Sequence, residues 1–275
     1  MEQKSSAPVR FLYGTALGRT LLKGVRKFGL DKLAVKFLCS PMSRYVIGPY
    51  IKKHDIPMEE YEPAEYRTFR DFFIREKTEL SVNRDPEHLV SPCDGWLSAY
   101  PVEENNSFSI KGSRYRLCDL LQDPILGQRY HGGLLLVFRL CASDYHHYCF
   151  VDDGQLTRSH YIEGELHSVQ PIACETYPVY TLNRRAWSLL ETEHFGPVIQ
   201  TEIGALVVGG IVNRDVKNFQ RGEEKGRFEL SGSTITLLLE KDRVELLPEI
   251  REVLDQGAEA RVKLGMCVAA RTNKE

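Results

Sequence analysis

Gly222-Glu-Glu-Lys-Gly-Arg-Phe-Glu-Leu-Ser-Gly-Ser-Thr-Ile-Thr-Leu-Leu-Leu-Glu240 places a turn, a short strand-like run ending at Leu230, four small residues and a second apolar run, Ile235 to Leu239, in succession. Gly232 lacks a Cβ, so its carbonyl can be approached closely and its backbone can adopt geometries other residues resist. Ser233 sets a hydroxyl directly beside that carbonyl. The plain reading is a tight hairpin turn, because Ser and Gly favour turns. The chemical reading is a peptide bond within reach of its own neighbouring hydroxyl.

Working outward, the pattern around this junction is one of strands. Short apolar runs occur at Trp96–Tyr100, Leu134–Leu140, Tyr177–Leu182, Val198–Ile203, Ala205–Val212 and Arg227–Leu230, punctuated by Gly, Pro, Asn and Asp. That spacing predicts a mainly antiparallel β-rich body. Ahead of it the pattern is helical. Leu17, Leu21, Val25 and Phe28 form one stripe at helical spacing, while Arg19, Lys23, Arg26 and Lys27 fall largely elsewhere. Leu33 to Ile56 continues helically, with Pro41 expected to reset the helix. Tyr66, Phe69, Phe72 and Phe73 share a further helical face. The fold class is therefore α+β: N-terminal amphipathic helices, then the β-rich body. Two regions are expected, a basic helical one over residues 1–60 and a catalytic one over residues 61–275.

Charge divides the chain in the same way. From Met1 to Lys53 there are eleven basic residues against two acidic ones, a charge of +9, which leaves −11 for the rest of a chain whose net charge is −2. A basic leader on an acidic body points to an anionic surface. An amphipathic basic helix can lie in a membrane interface, whereas the competing reading is an ordinary surface helix docked on the body. No run of about 18 apolar residues is present, so no membrane-crossing helix is expected. The seven cysteines are odd in number, widely spaced and without a C-x-x-C pair, which indicates neither a disulfide framework nor a zinc site.

The chemistry-bearing pieces are Ser91-Pro-Cys-Asp-Gly95, Asp144-Tyr-His-His147 and Ser231-Gly-Ser-Thr234. An aspartate, histidines and a serine in separate loops are the types an activated nucleophile needs. There is no G-x-S-x-G elbow, phosphate-binding loop, dinucleotide fingerprint or HExxH helix. His146 and His147 are a poor metal chelate, since adjacent residues of a strand face opposite ways.

In this order and spacing the pieces resemble the phosphatidylserine decarboxylase family. Phe69-Arg-Asp-Phe-Phe-Ile-Arg75 is similar to its FxxFFxR segment and Ser91-Pro-Cys-Asp-Gly95 to its SPADG motif. Asp144-Tyr-His-His147 is similar to its DYHR, and Gly222 to Phe228 to the KGEExGxF that leads into its GST processing site. The resemblance implies a self-processing proenzyme. Ser233 Oγ attacks the Gly232 carbonyl, the resulting ester is broken by elimination, and hydrolysis of the dehydroalanine leaves a pyruvoyl group at the start of a chain 233–275, separate from chain 1–232. That covalent cofactor forms a Schiff base with phosphatidylserine, holds the electrons as CO₂ departs, and phosphatidylethanolamine is released in phospholipid biosynthesis. The expected setting is the cytoplasmic face of the cell membrane, peripherally bound to anionic phospholipid, with no nucleic-acid partner and no metal.

Asp94 matches the family's relay aspartate, His146 its proton-transfer histidine, and Ser233 the processed residue. Two positions depart from the pattern. His147 stands where the family has arginine, and Cys149 where it has the second histidine, the relay base for self-cleavage. The base is thereby left open among His146, His147 and His167; His167 is the first to test, and the reading that weighs equally against it is an edge-strand histidine facing solvent. Other readings of the chain are an inactive lipid-binding relative, a pyruvoyl decarboxylase of a small amino acid, and a serine hydrolase that leaves the chain uncut.

Overall fold

The computed structural model describes residues 5–27, 30–110, 113–205, 210–230 and 233–272. Ser231 and Gly232, half of the small-residue junction, lie outside these, as do Phe28 and the Val25 side chain. Four helices come first: α1 (Ala7–Gly14), α2 (Ala16–Lys27), α3 (Leu30–Leu38) and α4 (Arg44–His54). Pro41 starts a short 3₁₀ turn between α3 and α4, the interruption its missing N–H dictates. The aromatic segment forms a single-turn helix, α5 (Phe69–Phe73). A capping box holds its start, the Thr68 hydroxyl accepting from the Asp71 N–H while the Asp71 carboxylate accepts from the Thr68 N–H.

The body is an eight-stranded antiparallel sheet with smaller sheets packed on it. Its central strand, Ser233–Leu239, is buried at every position and lies between Leu134–Leu140 and Gly196–Ile203. Alternation divides it between two cores. Leu238 packs with Val137, Trp187 and Tyr130, whereas Ile235, Leu237 and Leu239 pack with Phe138, Tyr148 and Phe228. Because both faces are covered, the strand reads as a continuous apolar run.

One expectation is corrected and two alternative readings fall. Tyr177–Leu182 is not a strand: Val179–Leu182 is a helical turn entered through Pro178, whose fixed φ and missing N–H suit a turn better than a ladder. The junction before Ser233 is not a hairpin. The strand preceding it, Glu224–Glu229, pairs with Gly210–Asn213 and His147–Cys149 in a separate three-stranded sheet, so the chain crosses from one sheet to another between Leu230 and Ser233. His167 is buried, not a solvent-facing edge residue; the contacts that bury it follow.

Candidate functional site

Strand register brings the candidates together. Trp96 opposes Arg139, Leu140 opposes Ser233, Thr234 opposes Ile203, and Ile203 opposes Arg185. In an antiparallel sheet these pairings bring the starts of three strands and the ends of two to one edge. That edge carries Asp94, the 141–146 loop, Ser233, and Asn183, whose side chain both accepts from the His167 N–H and donates to its carbonyl, at 2.8 Å each. Gly95 lets the first strand start there, since a Cβ on it would meet the Arg139 carbonyl oxygen at 2.8 Å.

Ser233 is 1% exposed and its Oγ has no hydrogen-bond partner among the described residues. His146 is wholly buried and neither ring nitrogen has a partner among them. Its ring stacks on Phe73, centroids 4.0 Å apart. Burial, then the nearby Arg75 guanidinium, depress its pKa to about 3. The Cys141 and Ala142 carbonyls offset part of this without forming hydrogen bonds of good geometry. Buried polar atoms are paired in the great majority of cases, and each orphan costs about 1–3 kcal/mol. Three such atoms belong to Ser233 and His146, and Thr234 Oγ1 beside Ser233 is a fourth at the same edge.

The loop carrying His146 is held by Arg75. One guanidinium nitrogen donates to the Ser143 carbonyl at 2.8 Å and to the Asp144 carbonyl at 3.3 Å, and the group lies over the rings of Tyr61 and Phe72. Asp144 closes the turn by accepting from the Cys141 N–H at 2.7 Å and pairs with Arg261 at 2.7 Å. The Phe69–Arg75 segment thus supports the histidine twice, by Phe73 and by Arg75. The sequence pattern showed the segment without its task.

Asp94 contacts no histidine. Its Oδ2 pairs with Lys77 Nζ at 2.7 Å, and its Oδ1 accepts from the Leu264 N–H at 2.8 Å. Both side chains of that ion pair are under a tenth exposed, and the Lys77 ammonium sits 5.0 Å over the Tyr145 ring. Sequence reading missed Lys77; a lone lysine seventeen residues ahead of its partner carries no local signal.

The other candidates for the base are differently occupied. Cys149 is buried, and that burial pushes its thiol up to about 12, so no thiolate is available near neutral pH. His147 faces two acceptors, the Glu224 carboxylate at 3.0 Å and the Ile74 carbonyl at 3.1 Å. Both ring nitrogens are thereby engaged, at the position where the family pattern has arginine. The hydrogen bond from His147 holds the Glu224 carboxyl below its usual range. His167 is engaged at both nitrogens: Nε2 lies 2.7 Å from the Glu165 carboxylate and Nδ1 lies 3.4 Å from the Tyr13 hydroxyl.

A cavity of about 460 Å³ opens at this edge, lined among others by Phe73, Leu140, Cys141, Val169 and Leu230, with α1 and α4 on its far side. Leu230 has a φ of +59°, a left-handed conformation that costs a non-glycine residue about 1–2 kcal/mol. That strain sits two residues ahead of Gly232. A larger cleft of about 780 Å³ is lined by Lys77, Leu264 and residues 78–83, and reaches the partners of Asp94 from another side.

Residues 69–270 match the family model described as phosphatidylserine decarboxylase. The chain is 41% identical over 269 residues to phosphatidylserine decarboxylase proenzyme 2 of Clostridium acetobutylicum, covering 96% of this chain and 92% of that protein. It is 34% identical to the phosphatidylserine decarboxylase proenzyme of Clostridium kluyveri, over 94% and 90% of the two chains. With that of Desulfitobacterium hafniense the identity is 34%, over 96% and 91%. The chain belongs to the phosphatidylserine decarboxylase family, whose members are carboxy-lyases.

Proposed function

We propose that the chain is a proenzyme that cuts itself between Gly232 and Ser233 and then decarboxylates phosphatidylserine to phosphatidylethanolamine at a membrane surface. The observation that carries this reading is that register brings buried Ser233 and the loop of buried, neutral His146 to one edge of the sheet, with neither side chain hydrogen-bonded to another described residue. Ser233 Oγ gives its proton to His146 as it attacks the Gly232 carbonyl carbon. The C–O bond forms as the C–N bond breaks, and the proton passes to the departing nitrogen. A ring held neutral suits such a shuttle, because it takes the proton only in transit. Strain at Leu230, two residues ahead of Gly232, favours relief by cutting the chain close to it. Loss of the Ser233 α-proton with cleavage of its Cβ–O bond, then addition of water and loss of ammonia, leaves a ketone on chain 233–275.

The residues around Ser233 fit a pyruvoyl group there: a central strand starts at that position, and its partner Leu140 lines a cavity together with Phe73, Val169 and Leu230. When formed, the group supplies an electron sink for the pair left as CO₂ departs. His146 would take a proton from the substrate ammonium as it condenses, and would hand that proton to the reacting carbon once CO₂ has left. Asp94 acts through Lys77, the cation it holds over Tyr145, the residue next to His146. The low-polarity wall formed by Phe73, Leu140 and Val169 excludes water and disfavours a bound carboxylate relative to neutral CO₂.

Residues 1–60 are proposed as the membrane-associating region, peripheral at the cytoplasmic face of the cell membrane, and residues 61–275 as the catalytic region. Among the described residues, eight of the thirteen exposed large apolar side chains lie between Phe11 and Val46, including Leu17, Leu21, Leu33 and Met42. Such concentration is the mark of an interaction surface. The basic residues alongside would add about 1 kcal/mol each at an anionic leaflet. No helix among the described residues is long and apolar enough to cross a membrane.

Intact-mass measurement on purified protein tests the reading. Two chains divided at Gly232/Ser233 are expected, the smaller blocked at its N-terminus, and Ser233→Ala should remain one inactive chain. A single uncut chain that decarboxylates phosphatidylserine would sink the proposal.

A further inference from the structure

Helix α1 reaches past the membrane-facing surface into the body. Tyr13, at its C-terminal end, is wholly buried and lies in the same core as Trp187 and Leu238. Its hydroxyl accepts from the Ser168 N–H at 2.9 Å. Glu165 accepts from Nε2–H of His167, which leaves Nδ1 to accept the Tyr13 O–H at 3.4 Å. The Tyr13 ring meets the His167 and Tyr177 rings edge-on, centroids 6.0 Å away in each case, and Tyr177 stacks on His167 at 4.6 Å. Two further contacts tie the same helix start to the same loop: the Ser6 N–H donates to Gln170 Oε1 at 2.8 Å, and the Ile172 N–H to Ser5 Oγ at 3.3 Å.

The loop so held is a wall of the cavity. Ser168 to Pro171 line it opposite Leu140 to Ser143, and Ser5, Ser6 and Val9 close it from the α1 side. Asn183 fixes the inner end of the loop from the body, and α1 fixes the outer end. A helix that only anchored the protein to a membrane would need none of these buried hydrogen bonds; an exposed apolar side chain such as Phe11 would serve.

We propose that Tyr13 is a positioning residue for the His167–Pro171 wall of the substrate cavity, so that α1 belongs to the catalytic apparatus as well as to the membrane-facing segment. This rests on the reading of that cavity as the headgroup site. Removing the hydroxyl leaves the Ser168 N–H and His167 Nδ1 without their Tyr13 hydrogen bonds, and the wall moves. Displacements near 1 Å in a reacting site can cost on the order of 100-fold.

The test separates anchoring from positioning by substrate. Full-length wild type, Tyr13→Phe and Leu22→Ala are assayed after self-cleavage on a short-chain phosphatidylserine kept below its micelle concentration, and on anionic vesicles. Leu22 is buried in α2, away from the cavity lining, and controls for lost stability. Tyr13→Phe should lower kcat/KM on the soluble lipid about tenfold or more, with vesicle binding unchanged. Leu22→Ala should keep its soluble-lipid kcat/KM at a melting temperature lowered at least as far. Gln170→Ala, which loosens the same wall at its Ser6 contact, should repeat the Tyr13→Phe result, so the outcome does not hang on one variant. Unchanged soluble-lipid kinetics in Tyr13→Phe, or equal losses in Tyr13→Phe and Leu22→Ala, overturn the inference. Absence of decarboxylation by wild type overturns the underlying reading, and the inference with it.

Discussion

Lowering the pH should weaken the fold through His146, and the amount can be worked out. In the unfolded chain an imidazole titrates near 6.5, while the folded chain keeps this ring neutral down to about 3. Below 6.5 the unfolded state therefore binds a proton that the folded state refuses, and stability falls as pH falls. The contribution is fully present above the unfolded value. It is lost at about 1.4 kcal/mol per pH unit below it, until the folded ring also protonates. Between about pH 7 and about pH 5 the loss comes to about 2 kcal/mol. The assay is urea unfolding of the uncut Ser233→Ala chain with and without His146→Gln, each at both pH values. Titrations common to the two chains cancel in the difference. The chain retaining His146 should lose about 2 kcal/mol relative to the His146→Gln chain as the pH drops. A difference constant to within about 0.5 kcal/mol would refute the reasoning, because it would mean that the ring protonates in the folded state or is solvated.

For the same reason, self-cleavage should show no acid limb near the ordinary histidine value of about 6.5; a time course of chain separation between about pH 5.5 and pH 8 checks this, and a drop centred near 6.5 would count against His146 as the proton carrier. Lys77→Met should strand the Asp94 carboxylate in a buried site, a loss of about 3–5 kcal/mol for breaking such a pair. Adding Asp94→Asn should restore much of the melting temperature without restoring activity, and restored activity would show that the pair serves packing alone. Leu17→Ser with Leu21→Ser removes two exposed apolar side chains and should weaken co-sedimentation with anionic vesicles at least tenfold, each leucine being worth up to about 1.5–3 kcal/mol when buried. Equal binding would take α2 out of the membrane-contacting surface.

The strands flanking the junction, the early helices and the reset at Pro41 were legible because each rests on local periodicity or on one residue's covalent constraint. Tyr177–Leu182 misled because so short an apolar stretch does not distinguish a buried helical turn from a strand. The family was also legible, since it is carried by residue identity in order along the chain. The state of each histidine was not. His146, His147 and His167 are chemically the same letter, yet one is neutral and unpartnered, one is set between two acceptors, and one is bonded to Glu165 and Tyr13.

The sequence by itself determined the elements, the charge division and the Gly232-Ser233 bond as the place to look, because propensity and residue order are local properties. Only the tertiary structure decided that Leu230 and Ser233 belong to different sheets, that Asp94 faces Lys77, and that Tyr13 of the first helix reaches the loop of His167. Those facts depend on sheet register and on which groups lose water together, and neither is written in any one stretch of the chain.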